Sequence, residues 1–540
     1  MQLAELIMSA ARDRGLKHFF GLPGGGAPLD MIEFGRRLGV DFVSVAHESS
    51  SAIMAAYYGQ MLGAAGLSLA IKGVGAGNLA GGAVNAHFER VPVVCCCESA
   101  PTTLRGQELV SLCAHERLFG AVSKYNATLA PELAAQQIEE AFVTAIDGRP
   151  GPVLLDLPSE LGEAECSAEV VQEPPAASLA PPDEVDLAKI RVLIESSRRP
   201  LILAGADVIR GGATKELLAF AEGIEAAVVV NMDAHGVFPE SHPRYAGPFI
   251  GHFLPNTIES EFIKQADLGL LIGCDSVASD NPWNLSLTTC EIVARAEYPS
   301  FAVDPRVRVN GDIAATLKSL SSMPNQSGFS ETDIRASREK ILRNFRRPPD
   351  AQLAAQDIIE ISRRLFPTDG ILISETGIFI LMLQHLWPFD EPSKHFCSAG
   401  GRTMGLAVPA LIGAKLAKPE HPMMGIGADG SLLMRLGELE VMARTGIAAP
   451  LVIINDSALG TMKWRQKARR MPDHALDLQT VDFCRVALAV GMRGVMVETP
   501  EQFEKELKIA MIADRATLID ARVDSQAYQD SFGPTVGVLE

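Results

Sequence analysis

The stretch MMGIGADGSLLMRLGELEVMARTGIAAPLVIIND, residues 423–456, holds the residues best placed to do chemistry. Gly425, Gly427 and Gly430 spell G-x-G-x-x-G, a turn whose amides, with Ser431, can face a phosphate as a helix begins. One carboxylate, Asp429, lies inside the turn, and a second, Asp456, follows 27 positions later. A nicotinamide dinucleotide site needs an acid for the ribose about 20 residues past the glycines; IAAPLV stands there instead. Asp429 would also repel a bare diphosphate. A divalent cation removes that objection. Two carboxylate oxygens, a main-chain carbonyl, two phosphate oxygens and a water complete the octahedral shell of Mg²⁺ at about 2.1 Å. The spacing predicts a metal–diphosphate site, with an NAD-dependent dehydrogenase as the competing reading of the same turn.

Such a site needs a particular scaffold. HPMMGIG reads as a buried strand, LLMRLGELEVMART as a crossover helix stopped by Gly446, and LVIIN as the next parallel strand. Both aspartates then lie at the carboxyl edge of neighbouring strands about 5 Å apart, where open parallel sheets bind ligands. The same grammar recurs. DFVSVAH, LSLAIKG and VPVVCCC alternate with helices in the first part, PLILAGA, AAVVVNM and LGLLIGC in the second, GILISE, PMMGIG, PLVIIND and GVMVET in the third. Pro- and polar-rich stretches at 166–186 and 320–351 read as linkers. The expected fold class is α/β, with three doubly wound parallel-sheet domains at 1–165, 186–320 and 352–540.

The totals agree with an enzyme of this kind. At 540 residues the chain is too long for one core. A formal charge of −18 argues against nucleic acid and anionic membrane surfaces as partners. No apolar run is long enough to span a membrane, and the N-terminus reads as an amphipathic helix. The nine cysteines show no pairing pattern, which suggests a reducing compartment and a cytoplasmic location.

Ala428-Asp429-Gly430-Ser431 followed by Asn455-Asp456 resembles the G-D-G-S…N-N signature of thiamine diphosphate enzymes, the acetolactate synthase and 2-oxo acid decarboxylase superfamily. FFGLPGGGAPLDM resembles that family's G-x-P-G-G turn, and VAHESSSAIMAAYYGQMLG its R-H-E segment. IKGVGAGNLAGG resembles T-S-G-P-G-A-T-N, and SAGGRTMGLAVPALIGAKLA resembles S-G-G-L-G-T-M-G. The resemblance covers nearly the whole chain and implies pyrimidine-binding, central and diphosphate-binding domains. It implies metal ligands at Asp429, Asp456 and the carbonyl of Ala458. Cofactor contacts fall at Gly25, Asn78, Gly401, Met404, Gly430, Ser431, Leu459 and Gly460. Met404 is the wedge on which the cofactor bends, and Glu48 the catalytic acid that protonates its pyrimidine ring. The implied cofactors are thiamine diphosphate and Mg²⁺. The implied reaction is decarboxylation or carboligation of a 2-oxo acid, in a homodimer or homotetramer with sites between subunits. An inert paralogue that only binds cofactor is the third reading.

Some residues depart from the pattern. Asp456 stands where an amide is usual, Arg402 where a small residue is usual, and Lys72 replaces a serine. Ile71 lies where some decarboxylases carry a histidine, and Ser111 about where acetolactate synthases carry a glutamine. Ile378, Phe379 and Ile380 replace polar residues. LIGCDSVASDNPW lacks the arginine-rich pattern of FAD-carrying synthases, so no FAD is expected. His115, His252 and His385 read as packed or surface residues, His115 being the one that borders the cleft. MKWRQKARRMPDH reads as a basic helix with a solvated face, and a lid or substrate-carboxylate role is its alternative.

Overall fold

The computed structural model describes residues 1–104, 107, 111–166, 179–250, 258–279, 287–321 and 328–524; His252 lies outside them. Three six-stranded parallel sheets follow one another along the chain. The first contains β1 (His18–Gly21), β2 (Asp41–Ser44), β3 (Gly66–Ala70), β4 (Val93–Ser99), β5 (Asn126–Thr128) and β6 (Pro152–Pro158). The second contains β7 (Pro200–Ala204), β8 (Ala227–Asn231), β9 (Tyr245–Phe249), β10 (Leu268–Ile272), β11 (Thr288–Val293) and β12 (Val307–Asn310). The third contains β13 (Ile371–Ser374), β14 (His395–Phe396), β15 (Met423–Ala428), β16 (Pro450–Asn455), β17 (Arg493–Val497) and β18 (Thr517–Arg522).

The first and third sheets have the same topology. Their orders, β2-β1-β3-β4-β6-β5 and β14-β13-β15-β16-β18-β17, coincide when each is counted from its own first strand. The central sheet, β12-β11-β10-β7-β8-β9, reverses direction between β7 and β10. Its central strands are buried throughout, as the unbroken apolar runs require.

One apolar core runs continuously through the first and third domains. At its centre the helix Glu48–Leu62 packs against the helix Ala407–Ala417, and both are buried on nearly every side. Gly413 makes the approach possible, because a Cβ there would lie 2.1 Å from the carbonyl oxygen of Met54. The expected single crossover helix after β15 is instead two pieces, Asp429–Leu433 and Glu438–Arg444. The break has a tertiary cause. Gly437 lies against Ala46, its Cβ position 2.7 Å from the alanine methyl, and Arg435 reaches Ser49 and Gly405. Packing of the first domain overrides the local helical pattern.

Gly413→Ala should lower the thermal unfolding midpoint, through overpacking strain of about 1–3 kcal/mol that exceeds any gain in helix propensity. An unchanged midpoint in a melting experiment would contradict the close-packing account.

Candidate active site

β15 and β16 run parallel with Ala428 opposite Ile454, so Asp429 and Asp456 emerge at one sheet edge. Both line a cavity of about 310 Å³. Asp429 is almost fully buried, and that burial, followed by the charge of Asp456, pushes its carboxyl up to about 7. Its Oδ1 accepts the Gly430 amide at 2.8 Å. That amide was expected to face a phosphate; here it serves the buried carboxylate beside it. Ala458, Leu459 and Gly460 line the same cavity, as do Ser431 and Met404. Met404 Cε and Leu459 Cδ2 close over the Cβ-less face of Gly430, at 3.6 and 3.1 Å from where a Cβ would be.

Behind the turn sits Glu375, which no spacing rule had marked. Its Oε1 accepts Ala428 N at 2.9 Å, and its Oε2 accepts Ala407 N at 3.1 Å. Burial raises it to about 7. It ties the Asp429 turn to the helix that follows Met404, and Gly427 must lack a side chain to admit it.

The first domain places Glu48 at the start of its buried helix. Asn78 Nδ2 donates to Glu48 Oε2 at 3.0 Å, which brings together two residues expected at the site. Ile71 packs against the Cβ position of Gly75, which is also 3.4 Å from Glu48 Oε1. Space in front of Gly25 is open. Lys72 pairs with the buried Glu98 at 3.1 Å, beside Gly26. His115 is packed, as expected. Its Nε2 accepts Gly73 N at 3.2 Å, so its proton sits on Nδ1 and goes to Asp156 Oδ1 at 2.8 Å. Ser111 lies against Gly73. His385 is also packed, stacked on Phe345, and burial lowers it to about 3.

Glu48 and Asn78 do not line the cavity that holds the aspartates; its lining residues all lie between Thr376 and Arg465. What joins the first and third domains within one chain is a different set. Arg435 Nη1 donates to Ser49 Oγ at 2.8 Å, and the Glu438 carboxylate accepts Ala46 N at 3.3 Å. Glu89 clamps the loop before Met404. Its carboxylate accepts Ser398 Oγ at 2.7 Å, Ala399 N at 3.0 Å, Gly400 N at 3.4 Å and Gly401 N at 2.9 Å. The Gly401 amide is therefore spent on Glu89, and Gly401 does not line the cavity.

Comparison with known proteins identifies the three domains. Residues 1–118 match the thiamine pyrophosphate enzyme N-terminal TPP binding domain, 187–320 the central domain, and 375–521 the C-terminal TPP binding domain. The chain belongs to the thiamine pyrophosphate enzymes. Among its relatives, a probable acetolactate synthase large subunit of Methanocaldococcus jannaschii is 28% identical, across 97% of this chain and 92% of the relative. The acetolactate synthase of Bacillus subtilis is 26% identical, across 98% and 94%. The large subunit of Haemophilus influenzae is 25% identical, across 97% and 95%. This thiamine pyrophosphate-dependent enzyme is thus of the acetolactate synthase type. No helix among the described residues is long and apolar enough to cross a membrane.

Burial pushes Glu89 up to about 7 despite its four donors. Above its ordinary value of 4.5 the unfolded chain loses this proton while the folded one keeps it. Stability from Glu89 is therefore full below pH 4.5 and lost as pH rises towards 7, at no more than about 1.4 kcal/mol per pH unit. Glu89→Gln, which has no proton to lose, should flatten the fall of melting midpoint between pH 5 and 7; parallel curves for the two proteins would contradict this.

Proposed function

We propose that the cavity holds thiamine diphosphate with Mg²⁺, and that the enzyme decarboxylates a 2-oxo acid and can ligate the product to a second carbonyl compound. The observation that carries this reading is the pairing of buried Asp429 with half-buried Asp456 at one sheet edge, both lining one cavity. A buried carboxylate next to a second one calls for a proton or a hard cation between them. With the carbonyl of Ala458 they would ligate the metal, leaving positions for phosphate oxygens. Gly430, Ser431, Leu459 and Gly460 would surround the diphosphate, and Met404 supplies the apolar wedge. Gly25, Asn78 and Gly401 would attend the pyrimidine side, Gly401 through its carbonyl because Glu89 takes its amide.

Bound there, the cofactor supplies an electron sink next to the carbonyl carbon. The chain supplies the rest. Asn78 orients the Glu48 carboxyl, which would hand a proton to the cofactor's ring nitrogen. Ile378, Phe379, Ile454, Leu459 and Met462 line the cavity and exclude water from a carboxylate about to lose its charge.

A second copy of the chain completes the site in this reading. The helix Val74–Glu89, which carries Asn78, exposes Val74, Gly77, Gly81, Val84 and Phe88, spaced 3, 4, 3 and 4 along one face. Apolar and small residues at that spacing form a helix-packing seam. A homodimer or homotetramer would cover it and bring Glu48 over the neighbouring copy's cavity. The reading includes no FAD. Buried Arg149 fills the switch point of the central sheet, bonded to Asp207 at 2.8 Å and Asp275 at 3.1 Å. With nine free cysteines the cytoplasm is the expected location.

Thiamine diphosphate with Mg²⁺ should raise the melting midpoint, by about 2.7 kcal/mol of stability at 100 times Kd; NAD should not. Asp429→Asn should abolish the shift. Stabilisation by NAD alone would overturn the assignment. Glu48→Gln should keep the shift and lose roughly 10²- to 10⁴-fold in CO₂ release from 2-oxo acids, and undiminished turnover would remove Glu48 from its role. Val84→Arg should give a smaller species on sedimentation, with activity lost in parallel.

A further inference from the structure

Two cations line the cavity beside the aspartates, Arg402 and Arg465. Arg402 has a φ of 45°, in the left-handed region that favours glycine, at the position where a small residue was expected. A long charged side chain held in that conformation at a cofactor cleft points to use rather than packing. Arg465 lies on the helix Gly460–Ala468, on the same side as Thr461 and Met462, which also line the cavity. Its neighbour Lys463 is turned away to Asp473 and Asp477, at 3.2 and 2.6 Å, and Trp464 is buried. Arg465 itself is exposed and forms no ion pair among the described residues.

The chemistry limits what these guanidinium groups can grip. A 2-oxo acid loses its own carboxylate as neutral CO₂, so a cation paired with that group favours the ground state over the transition state. Cations in such a cleft are better placed on a group whose charge survives the reaction, where binding energy orients the substrate without opposing the chemistry. Resting on the thiamine diphosphate reading above, we propose that Arg402 and Arg465 receive a second, non-reacting anionic group, so that this enzyme selects 2-oxo acids carrying a distal carboxylate or equivalent anion. Arg465, at the outer turn of its helix, takes the distal group; Arg402 fixes it from the Met404 side.

The test compares CO₂ release by the holoenzyme from 2-oxoglutarate and 2-oxoadipate with release from their distal monomethyl esters, which match them in shape but lack the second charge. At least one diacid should exceed its ester in kcat/KM by roughly tenfold or more, the range of a charge-assisted pair. Arg465→Gln should bring that ratio to within about twofold of unity, acting through KM, while the melting shift produced by thiamine diphosphate and Mg²⁺ stays unchanged. Arg402→Gly, which the backbone conformation there accommodates, should also lower the ratio. Preference for the esters, or a ratio unaffected by both substitutions, overturns the proposal while leaving the decarboxylase reading intact. Loss of the cofactor shift in either variant also overturns it, because the arginine would then serve the diphosphate. If no 2-oxo acid releases CO₂ despite a normal cofactor shift, the decarboxylase reading fails and takes this inference with it.

Discussion

A buried carboxylate held beside a second, half-buried one dominates this molecule. Asp429 and Asp456 follow the ends of adjacent parallel strands, and the register of β15 against β16 brings them to one edge. Burial followed by mutual repulsion raises Asp429 to about 7. A protein tolerates such a pair when something positive belongs between its members. In the proposed reading, the cavity lining, the Gly430 turn and Met404 all serve a metal-tethered diphosphate held there.

The remaining construction brings this pair to a second set of groups. The helix that starts at Glu48 is buried against the helix after Met404, so the first and third domains share one core. Glu89, Arg435 and Glu438 reinforce that contact at its polar margins. Yet Glu48 and Asn78 do not line the aspartate cavity of their own chain. In the proposed oligomer, the first and third domains, alike in sheet topology, would face each other across copies and present two edges to one bound molecule.

Much of this was legible in the sequence because the decisive signals are local. Strand runs such as PLVIIND and LGLLIGC, the glycine turns, and the spacing from Asp429 to Asp456 all depend on a few dozen consecutive residues. The parallel α/β architecture followed from them. Contacts between distant parts of the chain could not be read this way. Glu89 meets Ser398, Arg435 meets Ser49, and His115 meets Asp156 only after folding. The crossover helix breaks at Gly437 because of Ala46, almost four hundred residues earlier. β14 and β5, of two and three residues at or beside sheet edges, are too short for any pattern to announce. Glu375 follows a strand with no spacing rule to mark it, and only its two amide partners show it bracing the Asp429 turn.

The position of the metal is tested most directly by anomalous diffraction from crystals grown with thiamine diphosphate and Mn²⁺ in place of Mg²⁺. The account predicts one strong peak within about 2.2 Å of carboxylate oxygens from both Asp429 and Asp456, with diphosphate density on its open side. Cofactor density with the peak elsewhere, or with either aspartate outside coordination distance, would contradict it.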